Sequence, residues 1–397
     1  MEQIMKYANP YTPGAGFMPG YLAGRETILD EASKYLNTLI LGYPQQSVIY
    51  YGLRGVGKTV LLNAVERKAD DLTILMEHVE IAEKRDFTQQ IVNSSKKFIH
   101  KMSVKEAAKD FVSKAQGLLR AFSVSYNPND QTFSLEMGNN EYVATGDLTS
   151  DLTDLFVTMG KTAEKANYAI CYFIDEIQYM KEQEAEALVN AIHRCNQLRL
   201  PIMIFGAGLP KIMKMLGEIK SYSERLFKFV EIDTLSREDA IEAVVKPAEP
   251  MEVTYESEAL ELIYGVTKGY PHFIQELCSA IWDNSNTDVI KISDVKNAIP
   301  LFYSNLDKGF YKVRYDRCTQ KEKMFVFAMV KCGDLPCTIS NVAKIMKRSV
   351  KSISTYRAQL INKGVIYATA HAEIDFTVPG FDEYLKRINP DLNICFE

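Results

Sequence analysis

The run Gly52-Leu53-Arg54-Gly55-Val56-Gly57-Lys58-Thr59 is a complete G-x-x-x-x-G-K-[ST] pattern, and it constrains this 397-residue chain more than any other stretch. Glycines let a backbone wrap its N–H groups around an anionic phosphate. The lysine neutralises the outer phosphates, and a threonine hydroxyl at a helix start is placed to ligate Mg²⁺. The flanks agree with this chemistry. Ser47-Val48-Ile49-Tyr50-Tyr51 reads as a short buried strand, and Val60-Leu61-Leu62-Asn63-Ala64-Val65 as the first turns of a helix. Val60 therefore joins Gly52, Leu53, Arg54, Gly55, Val56, Gly57, Lys58 and Thr59 as the expected phosphate-binding set.

Length and composition set the frame. A chain of 397 residues allows two or three domains, and 47% hydrophobic with 24% charged residues describes an ordinary globular protein. No apolar run approaches the ~20 residues of a membrane span. Met1–Tyr7 lacks the apolar core of an export signal, so a cytoplasmic location away from membranes is expected. The seven cysteines include no C-x-x-C pair, Cys332 and Cys337 being the closest two, and the five histidines are not at ligand spacing. Reduced thiols are expected, and neither a disulfide framework nor a zinc site. Charge is uneven. Residues 310–390 hold 14 Lys/Arg against 7 Asp/Glu, while residues 1–309 hold 32 against 42. A basic C-terminal module on an acidic body points to nucleic acid, and an ordinary solvated basic surface is the alternative.

Along the chain, residues 1–25 are rich in proline and glycine, and a helix is expected over Glu26–Leu41. Thr73–Ile81 reads as a second strand and Phe87–Leu119 as two helices. Ala121–Ser125 and Thr132–Glu136, split by Asn127-Pro128-Asn129-Asp130, read as a β-hairpin, and Leu148–Lys165 as an amphipathic helix. The next strand, Tyr168–Ile174, ends in Asp175-Glu176, 117 residues after Lys58. An apolar strand inside a parallel sheet would deliver two carboxylates at its C-terminal tip. Asp175 would orient a Mg²⁺-bound water, and Glu176 would polarise the attacking water as general base. In isolation, a strand followed by two acids is merely a solvated turn; the phosphate loop upstream favours the functional reading. Two more strands, Pro201–Phe205 and Lys228–Ile232, complete a doubly wound parallel α/β sheet.

Ser236 with Asp239 opens a helical region running to about Asn286. After Cys318 come three expected helices, Thr319–Lys331, Ile339–Met346 and Ser349–Lys363. Gly364 and a two-stranded wing, Val365–Tyr367 and Ile374–Val378, follow them. This is the element set of a winged helix-turn-helix. Lys347, Arg348, Lys351 and Arg357 lie where a groove-reading helix would present basic residues. The expected domains are 1–234 (P-loop sheet domain), 235–309 (helical subdomain) and 310–397 (winged helix-turn-helix).

With these residues in hand, the chain resembles a bacterial AAA+-type ATPase of the origin-recognition-like group, adjacent to the STAND signalling ATPases. The resemblance covers nearly the whole chain and is most specific at the phosphate loop and the acidic pair. It implies ATP as the nucleotide, with Mg²⁺. It further implies that Asn9–Gly14, with Leu22-Ala23-Gly24-Arg25-Glu26, resembles the segment lying across the adenine. Arg225, within Ser221–Phe227, resembles the arginine-finger position, and Gly269-Tyr270-Pro271 resembles the Gly-x-Pro motif of the STAND relatives. Plainer readings stay open for each. Arg225 could be a surface ion-pair residue, Pro271 a simple helix start, and Arg25 a lead-in to the first helix. An arginine finger often acts from a neighbouring subunit, which leaves a homo-oligomer open. Two departures stand out. Gly206-Ala207-Gly208 replaces the polar sensor many relatives carry after the fourth strand, and His272 stands where initiator ATPases carry a phosphate-sensing arginine.

Two functions follow as expectations. One is an ATP-hydrolysing switch that repositions a DNA-binding winged helix through residues 310–390. The other is a nucleotide-gated scaffold, with little hydrolysis, whose winged helix contacts protein. A kinase fits poorly, because no acceptor-substrate signature accompanies the loop and Glu176 points to water as nucleophile.

Overall fold

Apolar runs of five to seven residues bounded by turns build the sheet, as expected for strands buried on both faces. The computed structural model describes residues 8–392 except 71, 73, 82–86, 127–143, 220–222, 286 and 371. Strands β1 (Ser47–Tyr51), β2 (Ile74–Glu80), β3 (Ala169–Asp175), β4 (Ile202–Gly208) and β5 (Phe227–Glu231) lie in the order β2-β3-β4-β1-β5. Every neighbouring pair is parallel. All residues of β3 and β4 are buried, with Phe173 stacked on Phe205 at 5.6 Å. Each such ring contributes on the order of 2–3 kcal/mol by leaving water. A parallel sheet brings the C-terminal ends of its strands to one edge, where ligands of this architecture bind. The expected five strands are all present, within a few residues of their expected bounds.

The hairpin expected at Ala121–Ser125 is a correction. These residues belong to the helix Lys109–Tyr126. The short alternation Ala-Phe-Ser-Val-Ser imitated a strand, but the longer register decides the outcome. Val112, Ala115, Leu119 and Phe122 recur at helical spacing and are all buried in the core against Leu152, Leu155 and Phe156. The expected turn at 127–130 and second strand at 132–136 lie outside the described residues.

Packing divides the chain into two units. One comprises residues 25–52 and 58–232 and holds the five-stranded sheet. The other comprises the residues up to Gly24, the loop Leu53–Gly57, and everything from Asp233 onward. Within this second unit, helices Arg237–Ala248, Ser257–Thr267, Pro271–Asn284 and Ile292–Asn305 accompany a parallel pair, β6 (Thr254–Tyr255) and β7 (Val289–Ile290). The N-terminal segment is held here. The Tyr11 hydroxyl donates to the Val244 carbonyl at 2.6 Å, and its ring meets Trp282 edge-on at 6.0 Å. A π-helical turn, Leu306–Tyr311, leads into the short helix Lys312–Asp316.

The C-terminal part of the same unit has helices Gln320–Lys331, Ile339–Ile345 and Val350–Asn362. With them stands an antiparallel sheet of order β8-β10-β9, formed by β8 (Cys337–Thr338), β9 (Ile366–Ala368) and β10 (Glu373–Phe376). Local chemistry sets each start. Thr319 and Glu322 form a reciprocal capping box, and Ser349 accepts from the Ser352 N–H at 3.2 Å. Gly364, at φ +65, ends the third helix in the left-handed region. This element set fits a winged-helix-like domain.

Candidate nucleotide site

In the sheet-bearing unit, the expected site residues lie after β1 and at the end of β3. The helix Lys58–Asp70 follows the glycine loop directly, so Lys58 and Thr59 occupy its first turn. The Thr59 hydroxyl donates to the Asp175 carboxylate at 2.7 Å, uniting two residues 116 positions apart. Asp175 is buried at the last position of β3. Burial raises its pKa above the ordinary carboxylate value, while the Thr59 hydroxyl and the Glu176 N–H, at 2.8 Å, act in the opposite direction.

Glu176 has φ 52 and ψ 33, a left-handed conformation that costs a non-glycine residue on the order of 1 kcal/mol. The Glu176 carboxylate follows directly after the end of β3. Gln178 holds it in place: its side-chain amide donates to Glu176, and its carbonyl oxygen accepts from the Leu209 N–H at 2.9 Å. The buried Gln178 side chain also explains the small residues ending β4. A Cβ on Gly208 would stand 2.6 Å from Gln178 Oε1, and one on Gly206 would stand 2.7 Å from Ile49 Cδ1. Where the sequence has no polar side chain at 206–208, the structure places the Gln178 side chain against Gly208. A glutamine two residues beyond an acidic pair, facing a Gly-Ala-Gly strand end, was the available signal.

The loop Leu53–Gly57 belongs to the other unit. Gly55 and Gly57 have φ +84 and +91, and nothing lies within 4 Å of where a Cβ on Gly57 would be, as an open phosphate cradle requires. The Gly55 carbonyl accepts from the His272 N–H at 3.2 Å. Arg54 is bonded to the winged-helix-like part. Its N–H donates to the Thr377 carbonyl at 3.3 Å, and its Nε to the Gly364 carbonyl at 3.4 Å. Leu53 lines a small cavity of about 260 Å³ together with Tyr367, Phe376 and Val378. None of this was legible in the motif, which leaves both positions unspecified.

Residues 21–205 match the family model of the AAA ATPase domain. The match spans the phosphate loop and the acidic pair, whose geometry is that of a P-loop NTPase. Residues 308–385 match a domain of unknown function, DUF8462. No curated protein matches the chain in sequence. Among solved structures, the Walker-type ATPase Paby2304 of Pyrococcus abyssi is 13% identical, with a TM-score of 0.51 over 92% of this chain and 96% of its own. Orc1 of Aeropyrum pernix, solved in complex with DNA, is 13% identical, with a TM-score of 0.47 over 94% of each chain. The Holliday junction branch migration motor RuvB of Thermotoga maritima is 17% identical, with a TM-score of 0.44 over 92% of this chain and 95% of its own. At 13% identity the likeness to Paby2304 describes fold alone.

The remaining expected site residues fall at three places. Arg25 sits at the N-cap position of the helix Glu26–Ile40, its carbonyl accepting from the Leu29 N–H at 2.9 Å. Arg225 is exposed in the short helix Ser223–Leu226, immediately before β5, and its carbonyl accepts from Gln46 at 2.7 Å. Ser221 and Tyr222, just upstream, lie outside the described residues. Pro271 opens the helix Pro271–Asn284, with Tyr270 as N-cap.

His272 packs against Phe310, ring centroids 4.5 Å apart. Burial, reinforced by Arg314, pushes its imidazole from 6.5 down to about 4, so it is neutral near pH 7. Between those two values the unfolded chain binds a proton there that the folded chain does not. Stability from this group is therefore complete above pH 6.5 and declines as pH falls toward 4. His272→Gln should remove that share. Urea unfolding at neutral pH and at about pH 4.5 should show wild type losing roughly 2–3 kcal/mol more than the variant. Equal losses would contradict a buried neutral imidazole.

Among the described residues, no helix is long and apolar enough to cross a membrane.

Proposed function

We propose that this chain is an ATP-binding and ATP-hydrolysing switch of the AAA+ type that couples nucleotide state to DNA engagement by residues 310–390. The observation that carries the reading is the Thr59–Asp175 hydrogen bond at 2.7 Å, with Glu176 next in the chain, beside a complete phosphate-loop motif. A hydroxyl and a carboxylate converging at hydrogen-bond distance are hard oxygen donors of the kind Mg²⁺ takes. Thr59 and Asp175 would hold the ion, and when bound it would neutralise charge developing on the phosphoryl oxygens. Lys58 and the glycine-loop N–H groups would bind the triphosphate. Glu176, oriented by Gln178, would accept a proton from the attacking water. Arg225, exposed in the short helix before β5, is assigned as an arginine finger. Arg25 and Pro271 are assigned to the nucleotide-facing segments implied by the resemblance.

The DNA assignment is supported by the exposed basic set Lys347, Arg348 and Lys351, which flanks and opens the helix Val350–Asn362. Affinity for duplex DNA should fall steeply with salt, because phosphate contacts release counterions. Replacing all three residues by alanine should reduce the slope of log affinity against log salt by about 2–3. Filter binding across a salt series, with and without ATP, makes the test. Salt-independent retention, or none, would overturn DNA as the partner and favour a protein ligand for this face.

A further inference from the structure

Cys332 and Cys337 are the closest two cysteines in sequence, and the proposed function uses neither. Cys332 is the C-cap of the helix Gln320–Lys331, its N–H donating to the Ala328 carbonyl at 3.2 Å and the Met329 carbonyl at 3.0 Å. Gly333 follows at φ +89, in the left-handed region, and its N–H donates to the Val330 carbonyl at 3.2 Å. The helix stops there. After Gly333–Pro336, Cys337 opens β8, where it pairs antiparallel with Ile374 of β10 and is 4% exposed.

The two side chains meet. The Cys337 thiol donates a hydrogen bond to the Cys332 sulfur, and the Cys332 thiol donates in turn to the Ala328 carbonyl at 3.4 Å. The first of these bonds favours a thiolate at Cys332 and disfavours one at Cys337. Burial raises both thiols. At Cys337, burial first, then the charge of Cys332, the bond it donates and the Asp375 carboxylate push the thiol up to about 12. Access differs in the same sense, since Cys332 is half-buried and Cys337 buried. Attack on a disulfide sulfur needs a thiolate and a path to it. Cys332 is the better placed on both counts, with Cys337 directly behind it. The other described cysteines offer no such pair: Cys171, Cys195 and Cys278 are fully buried, and Cys318 is buried with its thiol on the Arg314 carbonyl at 3.4 Å.

We propose that Cys332 and Cys337 form a reversible dithiol–disulfide site, oxidised by exchange with a small disulfide such as oxidised glutathione. The Cys332 thiol gives its proton to solvent and attacks one sulfur of that disulfide. A mixed disulfide forms, and one glutathione leaves as thiolate. Cys337 then gives up its proton and attacks the Cys332 sulfur, forming the internal bond and releasing the second glutathione. The chain loses two protons and two electrons, and the two glutathione thiols gain them. Thiols already in contact meet the condition of reach that a disulfide sets, and the short loop keeps the second thiol at high effective concentration. The bond ties the end of the helix Gln320–Lys331 to β8. The loop it closes carries Leu335, which lines the same cavity as Leu53, so oxidation acts on one wall of that cavity. None of this chemistry depends on a nucleotide.

The test incubates the reduced, folded full chain with excess oxidised glutathione at about pH 8.5, then blocks the remaining thiols with iodoacetamide. Trypsin releases both cysteines in one peptide, Cys332–Lys344, because it cleaves after Lys331 and Lys344 and finds no Lys or Arg between them. In wild type that peptide should be two hydrogens lighter than its reduced form and carry no alkyl group. Dithiothreitol should restore both alkylation sites. Cys337→Ser should stop at the mixed disulfide, with one glutathione on Cys332. If its melting curve shows that serine is not tolerated at this buried strand position, Cys337→Ala gives the same readout. Cys332→Ser should leave Cys337 without glutathione, because that thiol is buried and ionises last. A wild-type peptide that stays alkylated at both cysteines, or that keeps glutathione on Cys332 without closing, would overturn the site. Glutathione on Cys337 in Cys332→Ser would overturn Cys332 as the attacking thiol.

Discussion

Glu176→Gln should lower ATP turnover by about 10²–10⁴-fold while leaving ATP affinity within about twofold of wild type. The carboxylate is the group placed to accept a proton from water, and glutamine cannot accept one. Glutamine nevertheless keeps the side-chain shape, and its carbonyl oxygen can still receive the Gln178 amide bond. The left-handed backbone at this position and the Asp175–Glu176 N–H bond at 2.8 Å involve no part of the substituted group. Binding and hydrolysis are therefore separable here. Phosphate release at saturating ATP and Mg²⁺, beside calorimetric affinity, makes the comparison; a variant that releases phosphate at the wild-type rate would remove Glu176 from the chemistry.

Much of this architecture was readable because it rests on local rules. β1, β3 and β4 are uninterrupted apolar runs, and a run buried on both faces has one physical outcome at that length. Thr59 and Asp175 could be paired across 116 positions because the motif fixes one at a helix start and the other at a strand end. Reading failed where a short window outweighed a longer one. Five residues at 121–125 alternate, yet the stripe from Val112 to Phe122 fixes them as helix. It also failed where tertiary contact assigns a role that no local pattern encodes. Gln178 became visible only with its amide spanning Glu176 and Leu209. Arg54 is an unspecified motif position, and nothing in its neighbourhood announces Gly364, 310 residues away.

Lys58 carries the largest expected binding effect. It stands in the first turn of the helix after the glycine loop, where its ammonium would neutralise the outer phosphates. Removing one partner of a close charge pair costs about 2–5 kcal/mol, which corresponds to a loss of roughly 30- to several-thousand-fold in affinity. The helix itself should tolerate alanine, the residue with the highest helix propensity. A melting curve of the nucleotide-free variant close to that of wild type would show that the fold is intact. The decisive measurement is titration of Mg²⁺–ATP into the wild-type chain and into Lys58→Ala under identical conditions. Saturable binding to wild type, weakened by at least about 30-fold in the variant, is the predicted result; no binding to wild type, or equal binding to both, would contradict a nucleotide site at this loop.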